Sequence, residues 1–346
     1  MNGFSGENAL PFPVDELRVM ASEGRLRGLR AVRLDLVEEW LEREPDAETV
    51  CRRLTAFNRS VTLAVLEAHE RDFPWLRECT FLEFGSGGRD EHVIGSDQDN
   101  GLIVRGDPDP DDLDQAAQEI VVALDGAGIP LCPGGVMISN PEWRGDSEEW
   151  LERLSGWLSN PGEKGPWQSG LFLDFLPVYG PSGEALALLG RIRDYVKARP
   201  MAIARLADEL TDYRLPLSLF GSFITEKSGP HAGTLDIKHS VLAHITNAAR
   251  ILALKHGLPH SNTCDRLRAL AEAGHVGNRH GDALLAAWDH LQGVRLAKGL
   301  ELAREGLPPH CRVDPGTLGP DEKARLKDAI RAAEKLVRLV QAGSAL

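Results

Sequence analysis

Two aspartates one residue apart, Asp97 and Asp99, follow a glycine-rich stretch, and Asp97 lies eleven residues beyond Ser86. In an extended segment, residues i and i+2 face the same way. Both carboxylates would then enter one cleft, with Gln98 turned away. Two neighbouring carboxylates repel each other unless a cation lies between them. Oxygen ligands of this type suit Mg²⁺ or Mn²⁺, which completes its shell with phosphate oxygens of a substrate. Gly85 allows backbone to approach a ligand closely, and Ser86 can hold a phosphate oxygen. These parts together make a site for a nucleoside triphosphate and its metal. On these residues alone, a glycine-rich turn followed by an acidic loop is an equal reading.

Other motif readings fail on spacing. An EF-hand loop beginning at Asp97 requires Gly at position 102 and Glu at 108, where Leu102 and Pro108 stand. A dinucleotide fingerprint beginning at Gly85 requires glycine at position 90, which is Asp90. The chain contains no GxxxxGK[ST] loop. The histidines lack a shared helix-face spacing: His239 and His244, like His275 and His280, are five apart. The five cysteines are widely spaced without a CxxC pair, which reads as reduced thiols rather than a disulfide framework or a zinc site. Asp107, Asp109, Asp111 and Asp112 precede a helical pattern and are explained by capping and the helix dipole.

The elements that must position the aspartates divide the chain into three. Residues 1–79, after a loose tail at 1–12, carry apolar residues at helical spacing. Residues 80–183 alternate short apolar runs with helical ones. TFLEF, NGLIV, PLCPGGVMI and LFLDFLPVYG are expected strands, and DPDPDDLDQAAQEIVVALDGAGI, opening at Asp107 and ending at Gly126 and Gly128, an intervening helix. Residues 184–346 return to the helical period and predict a bundle. The fold class is α+β.

The stretch GSGGRDEHVIGSDQDNGLIV resembles the signature of the DNA polymerase β-like nucleotidyltransferase superfamily. Within it, the likeness is to the nucleotidyltransferase family called DUF294, related to the uridylyltransferase of PII signal proteins. That family's core reads approximately GSEGRxEQ…TDQDNAL. Gly85, Ser86, Gly88, Arg89, Glu91, Asp97, Gln98, Asp99, Asn100 and Leu102 match it. Gly87 stands where Glu is usual, His92 where Gln is usual, and Leu176 where Arg is common. CPGGVMISNPEWR, FLDFLPVYG, LDIKHSVLAHITNAARILAL and VDPGTLGPDEKARLKDA also look like family segments, so the likeness extends over about 80–330. The CBS or cyclic-nucleotide domains common in the family have no counterpart in residues 1–79.

The resemblance implies a small mixed sheet with helices, flanked by an N-terminal helical segment and a C-terminal helical bundle closing the cleft. It implies transfer of a nucleoside monophosphate from an NTP to an acceptor hydroxyl, with Mg²⁺ or Mn²⁺, and points to a signalling protein as acceptor. It calls for a third carboxylate, for which Asp174 is the candidate. Arg89, Arg144 and Lys238 are the candidates for contacts with the nucleotide. Arg89 with Glu91 is equally a brace for the turn, and Arg144 equally a surface arginine. Two other functions fit the same motif: a non-catalytic nucleotide-binding regulatory module, and a transferase acting on a small molecule.

Composition narrows the setting. The 346 residues carry a net charge of −13, which argues against a broad grip on nucleic-acid backbone. There is no basic leader followed by an apolar core, and no apolar run of membrane-spanning length, so a cytoplasmic location is expected.

Overall fold

In the computed structural model, the described residues are 14–159, 170–208, 210 and 216–344. The tail expected at 1–12 lies outside them. The protein is α+β, with a small sheet set among many helices.

Three helices precede the sheet: α1 (Val14–Ser22), α2 (Leu29–Arg43) and α3 (Ala47–His69). Asp46 caps α3 by accepting from the Thr49 N–H, a bond worth about 1 kcal/mol. Val50, Leu54, Phe57, Val61 and Val65 recur at three-to-four spacing and are buried.

The sheet has four strands in the order β3-β2-β1-β4. These are β1 (Thr80–Glu83), β2 (Asn100–Ile103), β3 (Arg144–Gly145) and β4 (Leu176–Tyr179). The central β1 is antiparallel to β2, with Glu83 opposite Asn100, and antiparallel to β4, with an irregularity between Phe81 and Leu82. β2 and β3 run parallel. A four-residue helix, α4 (Gly85–Gly88), leaves the end of β1. α5 (Pro110–Gly126) follows β2 and is capped by Asp109, which accepts from the Asp111 and Asp112 N–H groups.

Each sheet face has its own cover. Gln98 is buried and donates to the Val121 and Ile129 carbonyls, at and beyond α5. A cluster of Phe84, Trp143, Trp150 and Phe172 is built with the help of α6 (Ser147–Ser159); Trp150 and Phe172 stack with centroids 4.8 Å apart. Trp150 also donates from Nε1 to the Leu102 carbonyl.

Two strand expectations need correction. PLCPGGVMI is a looping segment, although its Pro130 and Val136 carbonyls accept from the Gln98 and Asn100 N–H groups. Its Pro133-Gly134-Gly135 run favours a turn over a ladder. Asp174 lies in a turn before β4, so only the second half of LFLDFLPVYG is extended.

Further helices among the described residues are α7 (Ser182–Lys197), α8 (Pro200–Asp208), α9 (Ala243–Lys255), α10 (Thr263–Glu272), α11 (Asn278–Arg304) and α12 (Pro320–Ser344). Beside them a two-stranded ribbon pairs β5 (Leu235–Asp236) with β6 (Arg312–Val313). α9, α10, α11 and α12 pack on one another, and α11 also packs against α2 and α3. No helix among the described residues is long and apolar enough to cross a membrane.

Candidate metal and nucleotide site

Asp97, Gln98 and Asp99 run extended into β2, and the Asp99 carbonyl accepts from the Phe84 N–H. With Gln98 anchored toward α5, its two neighbours face the opposite way. Asp97, Asp99 and Cys132 each offer a ligand atom, and these atoms lie within 4.8 Å of one another. This is spacing that one divalent cation can bridge.

The α4 turn forms one wall. Gly85 takes a left-handed conformation, φ 54°, and a Cβ there would stand 2.3 Å from an Asp99 carboxylate oxygen. Glycine is therefore required twice at this position, for its backbone and for the space given to Asp99. Ser86 is half-buried beside it. Gly88 is needed for a different contact, since its Cβ would stand 1.9 Å from the Asp174 carbonyl oxygen.

Electrostatics mark the pair as short of positive charge. Burial, and then the nearby Asp97 charge, push the Asp99 carboxyl up to about 6. The Cys132 thiol donates to Asp99 and, with Arg89 and Lys238, pulls the other way. Burial, then Asp99, push the Cys132 thiol up to about 12. Lys238 is exposed at the start of the π-turn Lys238–Leu242 that leads into α9, and its charge is felt at Asp99.

The other candidates are engaged elsewhere. Asp174 is fully buried and does not belong to the metal-ligand group. Arg250 bonds one of its oxygens at 2.6 Å and Arg266 the other at 2.5 Å, with Arg89 at 3.2 Å. Burial opposes its charge, but Arg250, Arg266 and Arg89 hold the carboxyl well below the usual range. Three guanidinium groups already meet its charge, and that is the role its contacts show.

Arg89 is likewise engaged by protein side chains. It donates to Glu91 at 2.8 Å as well as to Asp174, and Glu91 in turn accepts from the Thr263 N–H at the start of α10. Asn262 donates to the Arg89 carbonyl. This is the bracing alternative, and it bolts the segment after α4 to the bundle. Arg144 is buried on β3, where it pairs with Asp114 of α5. Its register opposite Leu102 sets it apart from the aspartates.

Cys132 is the member that sequence reasoning missed. Its segment CPGGVMISN is family-like, but cysteine spacing alone speaks only to disulfide and zinc frameworks. The paired glycines beside it were the available signal, because they mark a loop that can fold back on the sheet end.

Two family models match the chain. Residues 32–164 match the family model described as "Putative nucleotidyltransferase DUF294". Residues 200–343 match "Putative nucleotidyltransferase substrate binding domain". The chain belongs to the DUF294 nucleotidyltransferase family. No curated protein matches it. The first model covers Asp97, Asp99, Cys132 and the α4 turn, and the second covers Lys238, Arg250 and Arg266.

Proposed function

We propose that the protein is a metal-dependent nucleotidyltransferase with a polymerase β-like core. It moves a nucleoside monophosphate from an NTP to an acceptor hydroxyl, on a signalling protein. The observation that carries this reading is the Asp97–Asp99 pair converging beside Gly85 and Ser86, with a shortage of positive charge that a bound cation would relieve. In this reading residues 80–183 hold the nucleotide, residues 1–79 support the sheet, and residues 184–346 supply the second wall.

The donor set fits Mg²⁺ or Mn²⁺ through its two carboxylates. Cys132 adds a softer ligand, which favours Mn²⁺ over Mg²⁺. A bound cation would neutralise triphosphate charge and lower the pKa of the acceptor hydroxyl. The chain's own residues do the positioning. Asp97 and Asp99 fix the cation, Gly85 leaves room for the Asp99 carboxylate, and Ser86 offers its hydroxyl to a phosphate oxygen. Lys238 places a positive charge across the cleft from the pair, where pyrophosphate would carry its negative charge away. The acceptor oxygen forms its bond to the α-phosphorus as the bond to pyrophosphate breaks, and the hydroxyl proton passes to solvent water or to the departing pyrophosphate. Asp174 takes no proton in this scheme, because its arginines hold it as the carboxylate.

One observation favours a second reading, a nucleotide-binding module without transfer. With Asp174 sequestered, the ligand group holds two carboxylates rather than three. The two readings separate on incubation with each α-labelled NTP, Mg²⁺ or Mn²⁺, and a cell lysate. Transfer expects label on an acceptor with release of pyrophosphate in the wild type, and neither in an Asp97→Asn/Asp99→Asn variant. Nucleotide binding with no label transfer from any NTP would establish the module instead.

A further inference from the structure

A second cavity, of about 140 Å³, lies between α7, α9 and the turn before β4. Its walls are apolar, with Leu173, Phe175, Leu189, Ile192, Ala253 and Leu254 among them. Its rim is polar, formed by Arg193 and the exposed Pro259–His260 segment. One wall is Arg266, only 2% exposed. Arg266 spends Nη2 on Asp174 and Nε on the His260 carbonyl. Its Nη1 is buried with no hydrogen-bond partner among the described residues.

That unmet donor belongs to an unbalanced network. Arg89, Arg250 and Arg266 bring three positive charges to Asp174 and Glu91, which supply two negative ones. A buried charge without a counter-ion is costly, as is a buried donor without an acceptor. One monoanion at Arg266 would answer both. The apolar walls require that the rest of the ligand be hydrocarbon. The volume sets its size, since a cavity of about 150 Å³ is known to hold benzene.

From these features we propose that this cavity is a binding site for a short-chain monocarboxylate, with the carboxylate on Arg266 Nη1 and the alkyl tail among Leu189, Ile192 and Leu254. Arg266 reaches Asp174, and Asp174 reaches Arg89 and the α4 turn, so the ligand stabilises the network that backs the metal-binding segment. The proposal stands whether or not the aspartate site transfers nucleotides.

The test is calorimetry and thermal melting of the full chain with acetate, propionate, butyrate and hexanoate, in buffer free of other carboxylates. Affinity is expected to rise about fourfold per methylene up to butyrate, and to fall once the tail outgrows the cavity. Butyramide, which has the shape without the charge, should not bind measurably. Leu189→Trp fills the cavity and leaves the charges intact, and should abolish binding; Leu258→Trp, at another lining residue, serves if that variant melts abnormally. Binding should persist in the Asp97→Asn/Asp99→Asn variant, which separates this cavity from the metal site. Failure of butyrate to bind, equal binding of butyramide, equal protection by chloride alone, or butyrate binding retained in a folded cavity-filled variant would each overturn the proposal.

Discussion

Asp99 and Asp174 are both aspartates near the four-residue α4 turn, one touched by Gly85 and the other by Gly88. Their surroundings are opposite. Asp99 has another carboxylate as its close charged neighbour, and its carboxyl is pushed up to about 6. Asp174 has three guanidinium groups and is held well below the ordinary range. One site is built to be completed by an outside cation, and the other already has all the cations its carboxylate needs. A buried acid near a catalytic motif therefore says little until its counter-charges are counted.

The largest expected effect comes from breaking the complete site. Asp174→Asn leaves two buried arginines, Arg250 and Arg266, and the half-buried Arg89 around a neutral group. Removing one partner of a buried ion-pair network costs about 3–5 kcal/mol. The variant should lose that much in urea unfolding, and metal affinity should change only as far as folding does. If Asp174→Asn instead folds with wild-type stability while losing metal, Asp174 is a ligand and the contrast between the two sites collapses.

The incomplete site should respond the other way. Asp97→Asn should abolish transfer by about a thousandfold, the equivalent of about 4 kcal/mol. It should not destabilise the metal-free protein, because it removes a repulsion. The pH dependence follows from Asp99. Its folded pKa, about 6, lies above the ordinary 3.8, so the neutral form is favoured by folding. Its contribution to metal-free stability is present in full below about pH 4 and is lost as pH rises through about 6. Metal binding needs the carboxylate, so affinity should fall up to about tenfold per pH unit below pH 6. In Asp97→Asn both transitions should move to lower pH. Titrating Mn²⁺ binding and melting temperature across this range checks the sign of each.

Much of this contrast was legible in the sequence, but unevenly. The period-two placement of Asp97 and Asp99 around Gln98 follows from backbone geometry, and the structure anchors Gln98 on the far side as that geometry requires. The helices were legible because their apolar residues recur locally, as along α3. The fate of Asp174 was not legible. Its partners Arg250 and Arg266 lie 76 and 92 residues downstream, and a linear pattern carries no record of such pairing. Arg144 was unreadable for the same reason, since its partner Asp114 is 30 residues upstream on α5. Residues 130–138 were misread as a strand because an apolar run interrupted by Pro133, Gly134 and Gly135 keeps the composition of a strand while losing its ladder.

The smallest expected effect sharpens what the incomplete site prefers. Cys132 shares the ligand group with two oxygen donors, and its thiol gives its proton to a hydrogen bond with Asp99 while no metal is bound. A soft cation displaces that proton more readily than a hard one. Cys132→Ser should therefore change Mg²⁺ affinity by less than about threefold, and lower Cd²⁺ affinity by at least about tenfold. Wild-type protein with Cd²⁺ should show a sulfur-to-metal charge-transfer band in the ultraviolet, and Cys132→Ser should lack it. The Asp174→Asn variant, if it folds, should keep the band, because the thiol belongs to the aspartate pair and not to the arginine network. A band surviving in Cys132→Ser would place the soft ligand elsewhere and leave the pair as a purely oxygen site.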